Sequence, residues 1–170
     1  MDRTLLLAFV AAGRRLALPL NDVERVVPLP LLAVPTGAPN FIEGFFDFHG
    51  ALVAVVSVGR LLGLGDERLG VYSPLLVLRG QDPPVALHVA SITSILKLTA
   101  ADIQPIGKDE TFNACVVGRV GDRGETVYVL STQEILLAEE RAKIASQRAI
   151  KRRRLDALAG EPTGASAHAS

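Results

Sequence analysis

Tryptophan is absent, methionine and cysteine occur once each, and only 5 % of the 170 residues are aromatic. One cysteine, Cys115, can neither close an internal disulfide nor build a thiolate zinc site. Stability must then come from a hydrophobic core, and a reducing cytoplasm is the expected setting. Long apolar runs are also missing. The stretch 5–12 is apolar for only eight residues before Gly13, Arg14 and Arg15, which is too short for a membrane span and a poor signal peptide, so a soluble chain is expected. Net charge is zero, 18 Lys+Arg against 18 Asp+Glu, but unevenly laid out. Residues 1–137 carry 11 cations and 14 acids (−3), residues 138–158 carry 7 and 3 (+4), and Glu161 restores the balance. An acidic body is a poor general nucleic-acid binder, because phosphate neutralisation needs clustered cations.

Catalytic and cofactor signatures are equally scarce. His49, His88 and His168 are far apart and lack ligand-like spacing, so no metal is expected. The glycines of GLGDERLG do not have dinucleotide-binding spacing, and no P-loop lysine follows. No serine sits in a nucleophile elbow, and Cys115 within an apolar run reads as a small core residue. His88, inside LHVA, reads as a satisfied strand histidine. No enzyme activity and no cofactor is expected.

What is present is a dense core-forming segment, residues 40–64 (NFIEGFFDFHGALVAVVSVGRLLGL). It holds Phe41, Phe45, Phe46 and Phe48, half of the eight aromatic residues, followed by the apolar run 51–58 with only Ser57 polar. It reads as strand, turn, strand and a helical turn at 60–62. Each fully buried Phe or Leu contributes roughly 1.5–3 kcal/mol, so the segment supplies much of the driving force. Upstream, residues 4–20 read as a β-hairpin turning at Gly13-Arg14, and Asn21 and Asp22 as caps of a helical turn carrying Val23, Val26 and Val27 on one face. Pro28, Pro30, Pro35 and Pro39 exclude a central strand and predict a loop. Downstream come a buried strand in SPLLVL, one or two strands in VALHVASITSILKL, a turn begun by Thr99 or Asp102, and a hairpin whose arms NACVVGRV and ETVYVL flank residues 121–124. Short strands with frequent turns predict an all-β barrel or sandwich.

The pattern changes at Ser131. Ser131-Thr132-Gln133-Glu134 matches a capping box, and the following residues have helical composition without Gly or Pro until Gly160 and Pro162. Ala138, Ala142, Ala145 and Ala149 share one stripe, available to a partner, to the body or to solvent. The KRRR run 151–154 reads as a solvated, partner-steering face, and residues 160–170 have the composition of an unstructured end.

The order of these pieces resembles the CheW-like domain of bacterial chemotaxis adaptors and of the regulatory domain of their histidine kinases. FVAAGRRLALPL with NDVERVV, a proline-bearing loop, FIEGFFDFHGALVAVVSVGRLLGL, then LLVLRG, VALHVASITSILKL, DIQPI and VYVLSTQEILL follow the family's order over about residues 4–137. The resemblance implies two intertwined five-stranded SH3-like β-barrels followed by a C-terminal α-helix. The implied organisation is an adaptor domain at 1–137, a charged helical extension at 138–159 and a disordered tail at 160–170. It further implies a non-enzymatic cytoplasmic scaffold coupling chemoreceptor tips to a kinase regulatory domain, with other CheW-like proteins as further partners, no nucleic acid, and membranes reached only through receptors.

By motif position, Val23, Arg25 and His49 fall on the receptor-facing region, and Ala86 and Ile92 in or near the second barrel's contact surface; Asp47 is a further partner-binding candidate. The family's Asn-Leu-Arg-Gly is replaced by Asp47-Phe48-His49-Gly50, its strand-end Asp-Leu-Arg by Ser57-Val58-Gly59, and Ala86 and Ala90 stand at its Gly and Asp. Exchanging a bidentate guanidinium for an imidazole changes partner contacts more than fold, which implies an accessory or divergent adaptor. The other class considered is a small barrel binding single-stranded nucleic acid, which needs exposed aromatic platforms beside positive charge.

Overall fold

The computed structural model describes residues 3–65, 69–107 and 115–168, without the side chains of 138 and 159–168. The polar connection at 66–68 and the residues 113–114 expected to open a late strand lie outside that description. Turn chemistry sets the first hairpin. β1 (Arg3–Ala11) and β2 (Arg14–Pro19) are joined by Ala12 and Gly13, with φ of 50° and 75°. Positive φ at both turn residues is the type I′ geometry, whose twist matches that of the strands it joins. The same solution recurs at His49-Gly50, between β4 (Ile42–Phe48) and β5 (Ala51–Ser57), and at Arg123-Gly124, between β9 (Val116–Asp122) and β10 (Glu125–Leu130).

The remaining strands are β3 (Val23–Val27), β6 (Leu75–Leu78), β7 (Val85–His88) and β8 (Ser91–Thr99). They form two five-stranded sheets, ordered β8-β1-β2-β10-β9 and β3-β6-β7-β5-β4. The second sheet is therefore built from consecutive strands inserted between the two halves of the first. The unbroken apolar runs of β1 and β5 are explained by burial on both faces. Leu6 and Ala8 pack with Val120, Val127 and Val129 inside the first sheet. Leu7 and Phe9 point the other way, into a shared core with Phe45, Val56 and Leu87 of the second. The second sheet has its own interior of Phe46, Val53, Val55, Leu75, Val77 and Ala86.

Two closed barrels were the expectation, and the strand ladders do not confirm them: neither sheet is closed by pairing of its edge strands. Irregular backbone occupies part of those edges. Gln104 exchanges both backbone hydrogen bonds with Arg119 of β9, and Ala33 of the proline loop does the same with Phe45 of β4. Gly118 permits the first contact, since a Cβ there would lie 2.5 Å from Ile103 Cγ2. Arg15 ties the adjoining ends of two hairpins together, at 2.8 Å from Asp122 and 3.2 Å from Glu125.

Three local expectations are corrected. The helical turn placed at 23–27 is strand β3, paired with β6; only Leu20–Asp22 is helical, as a 3-10 turn. The β-branched Val23, Val26 and Val27 favour the pleated surface once a partner strand is present. The turn at 60–62 is α1 (Val58–Leu61), begun by Ser57, whose hydroxyl accepts from the Arg60 amide. The Ser131 hydroxyl does accept from the Glu134 amide at 3.3 Å, but it closes a turn. Burial of Ile135 and Leu136 delays the helix, and α2 spans Ala138–His168, with Glu140 Oε1 accepting from the Leu137 amide. Helix α2 thus covers residues 160–168, where composition predicts an unstructured end. Ile144 fixes α2 to the shared core, while Ala142, Ala145 and Ala149 face solvent, so the alanine stripe does not pack on the body.

Candidate partner-binding site

The six residues singled out from sequence do not form one cluster. Val23 is buried opposite Leu78, and Arg25 stands exposed opposite Val77. Ala86 is fully buried in the interior of the second sheet, so its side chain is not presented to a partner. Ile92 is half-buried against the shared core on β8. Asp47 and His49 lie at the β4–β5 hairpin, both exposed, but their neighbours in sequence direct them differently: Asp47 pairs across the ladder with Leu52, and Phe48 with Ala51. Successive side chains on a strand point to opposite faces, so the two pairs line opposite sides of the hairpin.

On the side of Phe48 and His49, a groove of about 320 Å³ crosses one end of the second sheet. Its floor is apolar, from Val53, Val77 and Val85; Glu24, His49 and Gln81 provide polar groups around it. The turn that carries His49 is held by Asp47, whose Oδ1 accepts the Gly50 amide at 2.9 Å. The imidazole packs edge-on to Phe48, centroids 4.3 Å apart, which fixes it at the mouth. Gln81 is fixed from the other direction, because Arg141 of α2 donates to its Oε1 at 2.7 Å. The groove suits an apolar side chain whose flanking polar groups meet a carboxylate, an imidazole and an amide.

Glu24 and Gln81 were not singled out from sequence, and Phe48 only as a core aromatic within the tetrapeptide. Glu24 sits at a register shift between Val23 and Arg25, and a bulge of this kind re-aims one side chain without leaving a mark in the residue pattern. Elsewhere, Cys115 is fully buried and desolvation pushes its thiol up to about 11, as a core residue should behave. His88 is buried with Nδ1 2.6 Å from Glu43 Oε2; among the described residues its Nε2 finds no partner, so it is satisfied there on one side only.

Two cored sheets, nested in chain order and followed by a docked helix, are a specific arrangement, and comparison with known proteins identifies it. Residues 5–141 match the CheW-like domain. The chain belongs to this family. It is 26 % identical over 132 residues to the chemotaxis protein CheW of Helicobacter pylori, covering 76 % of this chain and 79 % of that protein. The Thermotoga maritima chemotaxis protein CheW is 22 % identical over 130 residues, covering 76 % and 85 %. Among solved structures, the scaffolding protein TtCheW from Thermoanaerobacter tengcongensis superimposes with a TM-score of 0.73 at 19 % identity, covering 82 % of this chain and 92 % of that one. The CheW-like match ends at Arg141, so most of α2 lies beyond it.

Proposed function

We propose that this chain is a non-enzymatic adaptor of chemotaxis signalling that couples chemoreceptors to a histidine kinase, as an accessory or divergent coupling protein. Its relatives are named chemotaxis proteins and a scaffold. The observation that carries the reading is the groove at the β4–β5 hairpin, where the family's signature tetrapeptide position presents His49 beside an apolar floor. A few apolar anchors in a desolvated pocket supply most of the affinity of such contacts, and the polar rim supplies selectivity. The two separately cored sheets act as the two open barrels of the scaffold, one for the kinase regulatory domain and, with the space between them, one for the receptor tip. Residues 1–137 form the adaptor unit and α2 an added element. The site of action is the cytoplasm, at receptor arrays; no described helix is long and apolar enough to cross a membrane. The nucleic-acid alternative is not favoured: Phe41, Phe45 and Phe46 are buried and offer no stacking platform.

Calorimetric titration with a receptor cytoplasmic tip tests the groove. Glu24→Lys and His49→Arg are each expected to change affinity by up to about 5-fold, corresponding to the roughly 0.2–1 kcal/mol of an exposed charge pair. Unchanged affinity in both variants removes the groove from the receptor contact.

A further inference from the structure

One face of helix α2 carries apolar residues at both ends and cations between them. Ile144, Arg148, Lys151, Leu155 and Leu158 recur at spacings of three and four and so share one face. Along it, exposure rises from 0 % at Ile144 to 40 % at Leu155 and 63 % at Leu158. Across from this face the proline-bearing loop offers Leu31, 97 % exposed, and beside it Val34, 71 % exposed. Between helix and loop lies a notch of about 300 Å³, floored by Phe45, Phe46 and Leu52 and walled by Leu31, Leu155 and Arg152. Grouped apolar exposure of this kind marks an interaction site, unlike single scattered residues.

The charge around the notch selects the occupant. Residues 148–156 contain five cations, Arg148, Lys151, Arg152, Arg153 and Arg154, against one acid, Asp156. Arg148 donates from Nε to the Leu52 carbonyl at 2.8 Å, which pins the helix; Arg152, Arg153 and Arg154 remain exposed. Asp47, the acid lining the notch, already accepts the Gly50 amide. A second copy of α2 would set like charge against like. We propose that this notch docks an acidic segment of a partner protein, anchored by one or two apolar side chains inserted between Leu31 and Leu155, met by Arg152 in the notch wall and steered by the positive charge of the neighbouring Arg153 and Arg154. The notch and the groove lie on opposite sides of the same hairpin, so variants at one leave the other in place. The inference goes beyond the coupling role and needs neither a kinase nor a receptor to be tested.

The test is fluorescence anisotropy on the full chain, with a labelled synthetic peptide of alternating Leu and Glu pairs as probe. Matched peptides carry Lys in place of Glu, or Ala in place of Leu. The Leu-Glu peptide is expected to bind, about 10-fold or more tighter than either control, and to weaken as salt rises, as an electrostatically steered contact does. Leu155→Asp and Arg152→Glu should each weaken it by about 5-fold or more while leaving the circular-dichroism melt in place, since both side chains are partly or fully exposed. The proposal is overturned by equal binding of the Lys peptide, by no binding, or by binding that Leu155→Asp does not alter. It is also overturned if phosphatidylglycerol vesicles or oligothymidine bind at these arginines and the acidic peptide does not displace them. Failure here leaves the coupling role standing, because that role rests on the groove and is tested separately by receptor and kinase binding.

Discussion

Cys115 and Asp102 are both ordinary residue types whose surroundings give them measurable properties. The Cys115 thiol is enclosed and pushed up to about 11 by desolvation, so the reactive thiolate is rare and inaccessible at once. Disulfide-exchange labelling at mildly alkaline pH should therefore follow opening of the fold, slow in buffer and fast in denaturant; labelling at the rate of a free peptide thiol would place Cys115 outside the core. Asp102 accepts from the Thr99 amide at 2.8 Å and the Thr99 hydroxyl at 3.1 Å. The amide bond first, then the hydroxyl, hold its carboxyl below the ordinary aspartate range. A carboxylate depressed in the folded state stabilises it above the unfolded-state value, and that contribution is lost as pH falls through the folded value. The stability difference between the parent protein and Asp102→Asn should thus be present at neutral pH and shrink to nothing in acid. A difference independent of pH would mean that the carboxylate is not the group responsible. Both residues were legible in part: burial of Cys115 follows from its apolar neighbours, and a turn begun by Thr99 or Asp102 was readable, though not that the two bond each other.

Elements were legible wherever local rules suffice. Alternation and turn residues reveal the three hairpins, although the first turn is Ala12-Gly13 rather than Gly13-Arg14 and the third narrows from 121–124 to Arg123-Gly124 because β9 runs on to Asp122; the prolines exclude a strand at 28–39. The misplaced elements are those decided by distant contacts. Residues 21–27 combine a cap signal with β-branched valines, and pairing with β6, some fifty residues later in the chain, decides for strand. Likewise the cap at Ser131 is real, yet Ile135 and Leu136 find more burial in a turn than on a helix face. The direction of α2 follows from Ile144 rather than from its alanines. Ile144→Ala is expected to cost about 2–4 kcal/mol by leaving a cavity at a site with no solvent access. Ala149→Ser, on the exposed face, should stay within about 0.5 kcal/mol. Denaturant midpoints for the two variants check this, and equal midpoints would contradict the docking of α2 through Ile144.

At the scale of the whole molecule, the β class and the order of the pieces were readable, and the ladder pattern was not. β8 and β9, like β3 and β4, follow one another in the chain, yet nothing in the residue pattern says whether they pair, and irregular segments at Ala33 and Gln104 take up part of the edges instead. The candidate site shows the same division. His49 stands out as an exchange within a signature tetrapeptide, but Glu24 and Gln81 join it only through the sheet, and Ala86, aligned with a contact position, is enclosed. The central claim is that the groove built by this sheet is a partner-binding surface of a coupling adaptor. Its most direct test is size-exclusion co-elution of the full chain with the regulatory domain of a chemotaxis kinase and with a receptor tip, each from the same genome. The parent protein and the Glu24→Lys, His49→Arg double variant are run side by side. The parent protein is expected to form a complex with both partners, and the variant to lose or weaken the receptor-tip complex. No complex with either partner, or an unaltered receptor-tip complex in the variant, would contradict it.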